Sequence, residues 1–224
     1  MNITIMDYKV LLLLTLYILL PTNCVAKRKA KSVSTVIDAK WHLTPTVLEI
    51  SEYLTEESEN LFWEYVEYIN SLQPALIDSA SDKERYDRAL GEAARLLSNP
   101  QLNLLKLSLS MHYNSPRVEM YHQIALDRGV KCPVAVDFGD KLVCHLDSLD
   151  ETVNAYLQKD VSSRPQLDTF RLDHQFPGCR NDSLTVVLYG ELGTPEFKQY
   201  HDKLKEYAVK KEINYIVRHF VKVM

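Results

Sequence analysis

Sulfur is the first source of chemistry in this sequence, which contains four cysteines: Cys24, Cys132, Cys144 and Cys179. A thiol that exchanges disulfides needs a lowered pKa, commonly supplied by a helix N-terminus, and a second cysteine within reach. The turn before the last helical segment reads Glu191-Leu192-Gly193-Thr194 and contains no sulfur. Glu196 adds negative charge, which disfavours a thiolate there. We therefore predict no disulfide catalysis at this turn.

Other catalytic patterns are also absent from the sequence. It lacks Gly-x-Ser-x-Gly, a phosphate-binding glycine loop, His-Glu-x-x-His and any Asp-x-Asp pair that would hold a metal against a diphosphate. His112 and His122 could share a helical hairpin, but two histidines without a third ligand are typical of surface or core positions. Asp147, Asp150 and Glu151 are explained by their place at a helix N-terminus. We predict no catalytic, cofactor-binding or metal-binding residue in this chain.

Residues 1–26 have the pattern of a secretory signal peptide. One lysine precedes an apolar run of about eleven residues, too short for a membrane-spanning helix of about 20. Small residues follow, and cleavage is predicted after Ala26. An uncleaved signal anchor is the alternative. The basic residues 27–33 are interpreted as the solvated start of the mature chain and not as a binding patch.

Net charge and cysteine content indicate which partners and which compartment to expect. A net charge of −4 provides no basic face for nucleic acid or anionic lipid, so neither nucleic acid nor, after signal cleavage, a membrane is a predicted partner. Loss of Cys24 with the signal peptide leaves three cysteines, which in an oxidising lumen indicates one disulfide and one leftover thiol. Asn181 begins a glycosylation sequon in a polar loop.

Helical patterns dominate residues 45–130. Ser81 and Glu84 form a capping box ahead of an apolar-periodic segment, and Asn99-Pro100 is expected to end the helix that follows. Residues 103–113 are ambiguous, because their leucines fit both the strand and the helix period.

A β-hairpin is predicted for the stretch KCPVAVDFGDKLVCHL, residues 131–146. If Asp137-Phe138-Gly139 is a three-residue loop, Cys132 faces Cys144 across the ladder and a disulfide can close. If Gly139-Asp140 is a two-residue turn, the cysteines are offset by three positions. We predict the first register and the pair Cys132–Cys144, with Cys144–Cys179 as the competing pair.

Residues 184–220 have the pattern of a strand, a tight turn, a helix and a second strand. Thr194 is the predicted N-cap of the helix, and Pro195 occupies its first position. Such a unit normally makes a right-handed crossover between parallel strands. We interpret it as the βαβ core of an α/β, thioredoxin-like domain spanning residues 34–224 that is retained for its shape.

The mature chain resembles one family in the order and spacing of its motifs. WHLTPTVLEISEYLTEES, LLKLSLSMHYNSPRVEMYHQIA and VVLYGELGTPEFKQYHDKLKEYAVKKEINYIVRHF, together with the Cys132…Cys144 spacing, are similar to the N-terminus of UDP-glucose:glycoprotein glucosyltransferases. The resemblance extends from about Ser34 to Phe220. It implies the first thioredoxin-like domain of the family's folding-sensor arm, with a helical insertion at about residues 45–130.

Further expectations depend on this resemblance. It favours helix for residues 103–113, and it implies a disulfide with the spacing of Cys132–Cys144. It also implies location in the endoplasmic reticulum lumen, with misfolded glycoproteins and the other domains of the full-length enzyme as partners. Family members continue into a glucosyltransferase domain that uses UDP-glucose and a divalent cation. No residue here corresponds to those sites, so we expect a chain truncated before that domain, without cofactor and inactive alone.

Two classes of function follow from these expectations. The first is a non-catalytic sensor domain that helps the glucosyltransferase to recognise misfolded N-glycoproteins for reglucosylation. The alternative is a thiol oxidoreductase using Cys179 with Cys132 or Cys144, or a chaperone-like binding module of the secretory pathway.

Overall fold

The computed structural model describes residues 44–72, 81–178 and 182–222. Within them, five helices precede a sheet that is interrupted by two more helices. The elements are α1 (Thr46–Glu57), α2 (Glu59–Ser71), α3 (Asp82–Ala93), α4 (Asn99–Ser110), α5 (Ser115–Asp127), β1 (Ala135–Asp137), β2 (Leu142–Val143), α6 (Leu149–Leu157), β3 (His174–Gln175), β4 (Leu184–Gly190), α7 (Pro195–Val209) and β5 (Ile213–His219). Among these helices, none is long and apolar enough to cross a membrane.

Several sequence predictions fall outside the described residues. They are the signal peptide with its cleavage at Ala26, the basic residues 27–33, a strand predicted for Ser34–Trp41, the leftover Cys179 and the sequon at Asn181. The domain boundaries derived from them stay predictions.

The sheet has five strands in the order β2-β1-β4-β5-β3. β4 and β5 are parallel over their whole length, from the pair Leu184–Ile213 to the pair Gly190–His219. The other neighbours are antiparallel. The predicted strand–helix–strand unit with parallel strands is therefore present, and α7 forms its crossover helix.

Both faces of the central strands are buried, which explains why β4 is an almost unbroken apolar run. Val186 and Leu188 join a large apolar cluster that includes residues of α1, α2 and α7. Val187 and Tyr189, which point the other way, join a smaller cluster with Ala125 of α5. The mixed sheet with helices on both sides fits the predicted α/β class.

The helical stretch confirms two predictions and corrects a third. Glu84 N–H donates to Ser81 Oγ at 3.3 Å in the predicted capping box. α4 continues to Ser110, so the helical alternative for the stretch 103–113 is correct up to residue 110, and a turn follows. Asn99-Pro100 does not end the preceding helix, which already stops at Ala93; the pair instead begins α4. Proline is tolerated there because the first helical N–H groups have no intrahelical acceptor.

The predicted hairpin register is wrong. Phe138 N–H donates to Lys141 O at 3.0 Å, which closes a two-residue turn at Gly139-Asp140, and Asp137 pairs with Leu142. Burial of Phe138 explains this register. Its ring is fully buried and stacks on Tyr156 with the centroids 5.1 Å apart, whereas the predicted loop would have carried it to the solvent.

Cys132 and Cys144 are nevertheless joined by a disulfide, with their Cα atoms 6.0 Å apart. Cys132 lies in a bend before β1 and Cys144 just after β2, so neither belongs to the ladder. The offset of three positions therefore does not prevent the bond, because the bend brings the first cysteine back within bonding distance.

Candidate functional site

The turn between β4 and α7 is the position where a reactive cysteine would lie at a helix start. Gly193 has a φ of +92°, a backbone conformation that residues other than glycine rarely adopt. Phe197 N–H donates to Thr194 Oγ1 at 3.2 Å, so Thr194 caps α7 as predicted. Burial raises the pKa of Glu191. The turn thus combines a capped helix start with a partly desolvated carboxyl group.

The two cysteines in the described residues are both consumed by the Cys132–Cys144 disulfide. A disulfide sulfur is not a thiolate, so neither residue supplies the nucleophile that thiol exchange requires. Within the described ranges, the oxidoreductase alternative therefore has no free thiol at a helix start.

Helix α4 presents apolar side chains to the solvent. Leu104 is 56% exposed, Leu107 54% and Met111, which follows the helix end, 39%. Their spacing of three and four residues places them on one side of the helix, and we call them the α4 apolar stripe. Leu105 and Leu109 are buried on the other side. Tyr113, just beyond the stripe, is 63% exposed. Because α4 has leucines on both sides, one set is buried and the other is exposed to solvent. Exposed apolar residues on one face of a helix are typical of an interaction surface.

A second candidate site is buried where α1, β3 and β5 meet. Its members are Glu52, His174 and His219, whose side chains are fully buried. His174 Nε2 donates to Glu52 Oε1 at 2.8 Å, and His219 Nε2 lies 3.1 Å from the same oxygen. We call these three residues the buried His–Glu cluster.

Neighbouring side chains complete the hydrogen bonds of the cluster. Arg117 Nη1 donates to Glu52 Oε2 at 3.2 Å, and His219 Nε2 lies 3.0 Å from Ser51 Oγ. The Ser51 hydroxyl itself donates to Leu48 O. The Phe62 ring stacks on His174, with centroids 3.9 Å apart. In contrast, His219 Nδ1 is buried without a hydrogen-bond partner among the residues that the structure describes.

The environment sets the protonation of the cluster. Burial alone would raise the pKa of Glu52, but the charge and hydrogen bond of His174 and the hydrogen bond of His219 lower it well below its usual range. Burial lowers the pKa of His219, although its hydrogen bond to Glu52 acts in the opposite direction. Near neutral pH the cluster is therefore a carboxylate with His219 neutral.

The sequence does not predict this cluster. Glu52 and His174 are 122 residues apart, and Ser51 and His219 are 168 apart, so no local spacing connects them. His112 and His122, which could share a helical hairpin according to the sequence, do not form a joint site. His112 Nδ1 lies 3.0 Å from Glu49 Oε1, whereas His122 stacks on Phe220.

The chain matches known proteins over nearly all of its described part. A family model described as a thioredoxin-like domain matches residues 43–223. The chain is 38% identical over 191 residues to a UDP-glucose:glycoprotein glucosyltransferase of Drosophila melanogaster, with 84% of this chain and 12% of the relative covered. It is 34% identical to UDP-glucose:glycoprotein glucosyltransferase 2 of Homo sapiens and 33% identical to UDP-glucose:glycoprotein glucosyltransferase 1 of Mus musculus. These alignments cover 86% and 88% of this chain and 12% of each relative. The chain therefore belongs to the thioredoxin-like domain family, in the form that UDP-glucose:glycoprotein glucosyltransferases contain.

Proposed function

We propose that this chain is a non-catalytic recognition module of a UDP-glucose:glycoprotein glucosyltransferase, which binds exposed apolar segments of misfolded glycoproteins. The α4 apolar stripe carries the proposal, because two leucines more than half exposed on one helix provide apolar area that a non-native chain can cover. Covering the exposed half of one such leucine contributes about 1 kcal/mol. The similarity to glucosyltransferases supports the choice of glycoproteins as partners.

The proposed compartment is the lumen of the endoplasmic reticulum, reached through the predicted signal peptide. The Cys132–Cys144 disulfide supports this location, because disulfides persist in oxidising compartments. Interaction with the other domains of a full-length enzyme belongs to the same proposal.

The absence of catalysis is tested directly with the purified chain. We expect no transfer of glucose from UDP-glucose to a denatured glycoprotein, measured with radiolabelled donor, while a complete glucosyltransferase serves as the positive control. Glucose transfer by this chain alone would contradict the proposal.

Recognition is tested with a charged substitution in the stripe. Leu107→Glu should weaken binding to a reduced, unfolded glycoprotein by about 10-fold or more, because an ionised carboxylate would have to be desolvated in the contact. Fluorescence anisotropy with labelled unfolded and native forms of the same glycoprotein measures the effect.

Val209→Glu is the matched control, since Val209 is 63% exposed at the end of α7 and lies outside the stripe. It should leave the affinity unchanged. Equal losses in the two variants, or equal binding of the unfolded and native glycoprotein, would contradict recognition by the stripe.

A further inference from the structure

The buried His–Glu cluster lies at the carboxyl ends of the two parallel strands. His219 is the last residue of β5 and pairs with Gly190, the last residue of β4. His174 comes from β3, which pairs with β5 on its other side. Glu52 reaches the same point from α1. In open α/β sheets, this edge is where ligands most often bind.

We propose that Glu52, His174 and His219 form a binding site for a divalent transition-metal ion, with Zn²⁺ as the best match. Two imidazoles and one carboxylate are a common ligand set for zinc, in which three protein ligands leave the fourth tetrahedral position open. Imidazole ligands also select Zn²⁺ over Mg²⁺ and Ca²⁺, which prefer oxygen.

The distances between the donor atoms suit such an ion. The three ligand atoms all lie within 4.8 Å of one another. Zn–N and Zn–O bonds of about 2.0–2.1 Å in a tetrahedron imply separations of about 3.3 Å between ligand atoms. The two observed separations from Glu52 Oε1 are 2.8 Å and 3.1 Å, so these two contacts have to open by only a few tenths of an ångström.

The charges around the cluster favour a cation. Arg117 contacts Glu52 with one nitrogen and donates to Glu56 with the other, at 2.8 Å. Glu52, Glu56 and Arg117 together carry one net negative charge, and Zn²⁺ would take the place of the Nε2 protons that face Glu52 Oε1.

Other contacts hold the ligands in place. The short strand β3 is fixed because Arg218, itself buried, donates to both oxygens of Asp173 at 2.7 and 2.8 Å, one residue before His174. Thr55 Oγ1 lies 3.4 Å from His174 Nδ1. Within the described ranges, His219 Nδ1 has no such partner, and a missing outer partner typically weakens metal binding by about 10–100-fold. We therefore expect a site that a chelator can empty.

The test uses the full chain, expressed through a secretory host, emptied with a chelator and titrated with Zn²⁺ alone. We expect one equivalent of Zn²⁺ by calorimetry and elemental analysis. The Tm should rise by about 5–10 °C when free Zn²⁺ is 100 times Kd. Co²⁺ in its place should give the visible absorption of a tetrahedral site with nitrogen and oxygen ligands.

Substitutions then assign the site. His174→Asn, His219→Asn and Glu52→Gln should each weaken Zn²⁺ binding by about 100-fold or more, relative to the unmodified chain. His145→Asn is the matched control, because His145 is exposed and outside the cluster, and it should bind Zn²⁺ normally. Binding that survives the cluster variants, or that is lost with His145→Asn, would overturn the proposal.

A measurement on the unmodified chain keeps the test decisive if a cluster variant fails to fold. Nitrogen-15 spectra of the histidine rings should show that Zn²⁺ shifts the Nε2 signals of two histidines only. No Zn²⁺-dependent shift, no stoichiometric binding, or shifts spread over the exposed histidines would refute the site.

Discussion

Two regions at the same edge of the sheet differ sharply in what they contain. The turn after β4 starts a capped helix and has no sulfur, although it is a position that would activate a thiol. On the neighbouring strand, His219 is paired with Gly190 and belongs to a dense buried group with Glu52 and His174. The comparison teaches that the buried polar side chains at this edge belong to the interior of the domain and not to the helix start.

The two regions should also differ in how much stability a single substitution removes. A buried carboxylate that accepts from two imidazoles and one guanidinium leaves unpaired polar groups if it is removed. The capped turn is only partly buried, so water can replace part of what is lost there. Stability measurements on the two regions therefore test the comparison directly.

The largest expected effect comes from Glu52→Ala, measured by urea unfolding of chelator-treated protein. The free energy of unfolding should fall by about 3–5 kcal/mol, because His174 and His219 lose a buried partner. Glu56→Ala also removes a carboxylate next to Arg117, but at a partly exposed position, and should cost less than about 1 kcal/mol. Equal losses of unfolding free energy in the two variants would show that burial of the cluster does not contribute to stability.

A smaller effect is expected at the turn. Thr194→Ala removes the hydroxyl that accepts from Phe197 N–H, and the free energy of unfolding should fall by about 1 kcal/mol. Thr194→Ser keeps an acceptor and is the control, with a loss of a few tenths of a kcal/mol at most. If Thr194→Ala lowered the free energy of unfolding as much as Glu52→Ala, the two regions would not differ in their contribution to stability.

The helix that follows the turn has an acid-sensitive contact with α2. The hydrogen bond from His201 and the nearby Lys205 lower the pKa of Glu67 from 4.5 to about 2, against the opposing effect of burial. Since the folded-state pKa is depressed, this stabilisation is present above pH 4.5 and is lost as the pH falls towards 2.

Glu67→Gln should therefore lower stability at pH 6 by less than about 1 kcal/mol, because the pair is solvent-screened, and the difference should vanish near pH 2. Urea unfolding at a series of pH values measures it. A difference that grows as the pH falls would mean that the sign of the pKa shift is wrong.

The smallest effect should be a gain in stability. Burial raises the pKa of Glu191, so the ionised carboxylate destabilises the folded state as the pH rises above 4.5. Glu191→Gln should raise the free energy of unfolding at pH 7 by a few tenths of a kcal/mol, and Glu196→Gln, at an exposed position, should not. A loss of stability in Glu191→Gln would indicate that the carboxylate has a stabilising partner.

Local signals predicted much of the architecture. The capping box at Ser81, the N-cap at Thr194 and the apolar periods of the helices act between residues three or four apart, so the sequence shows them directly. The hairpin register was mispredicted because the prediction was built around opposing cysteines, whereas burial of Phe138 against Tyr156 decided it. That contact involves a helix further along the chain and has no local signature.

The sequence by itself determined the strand–helix–strand unit and most of the helices, that the turn after β4 contains no thiol, and which family the chain resembles. Only the tertiary structure decided that Glu52, His174 and His219 share one buried point and that Leu104 and Leu107 stay exposed. The physical reason is that hydrogen bonds and burial depend on distance in space, and the chain reveals only distance along the backbone.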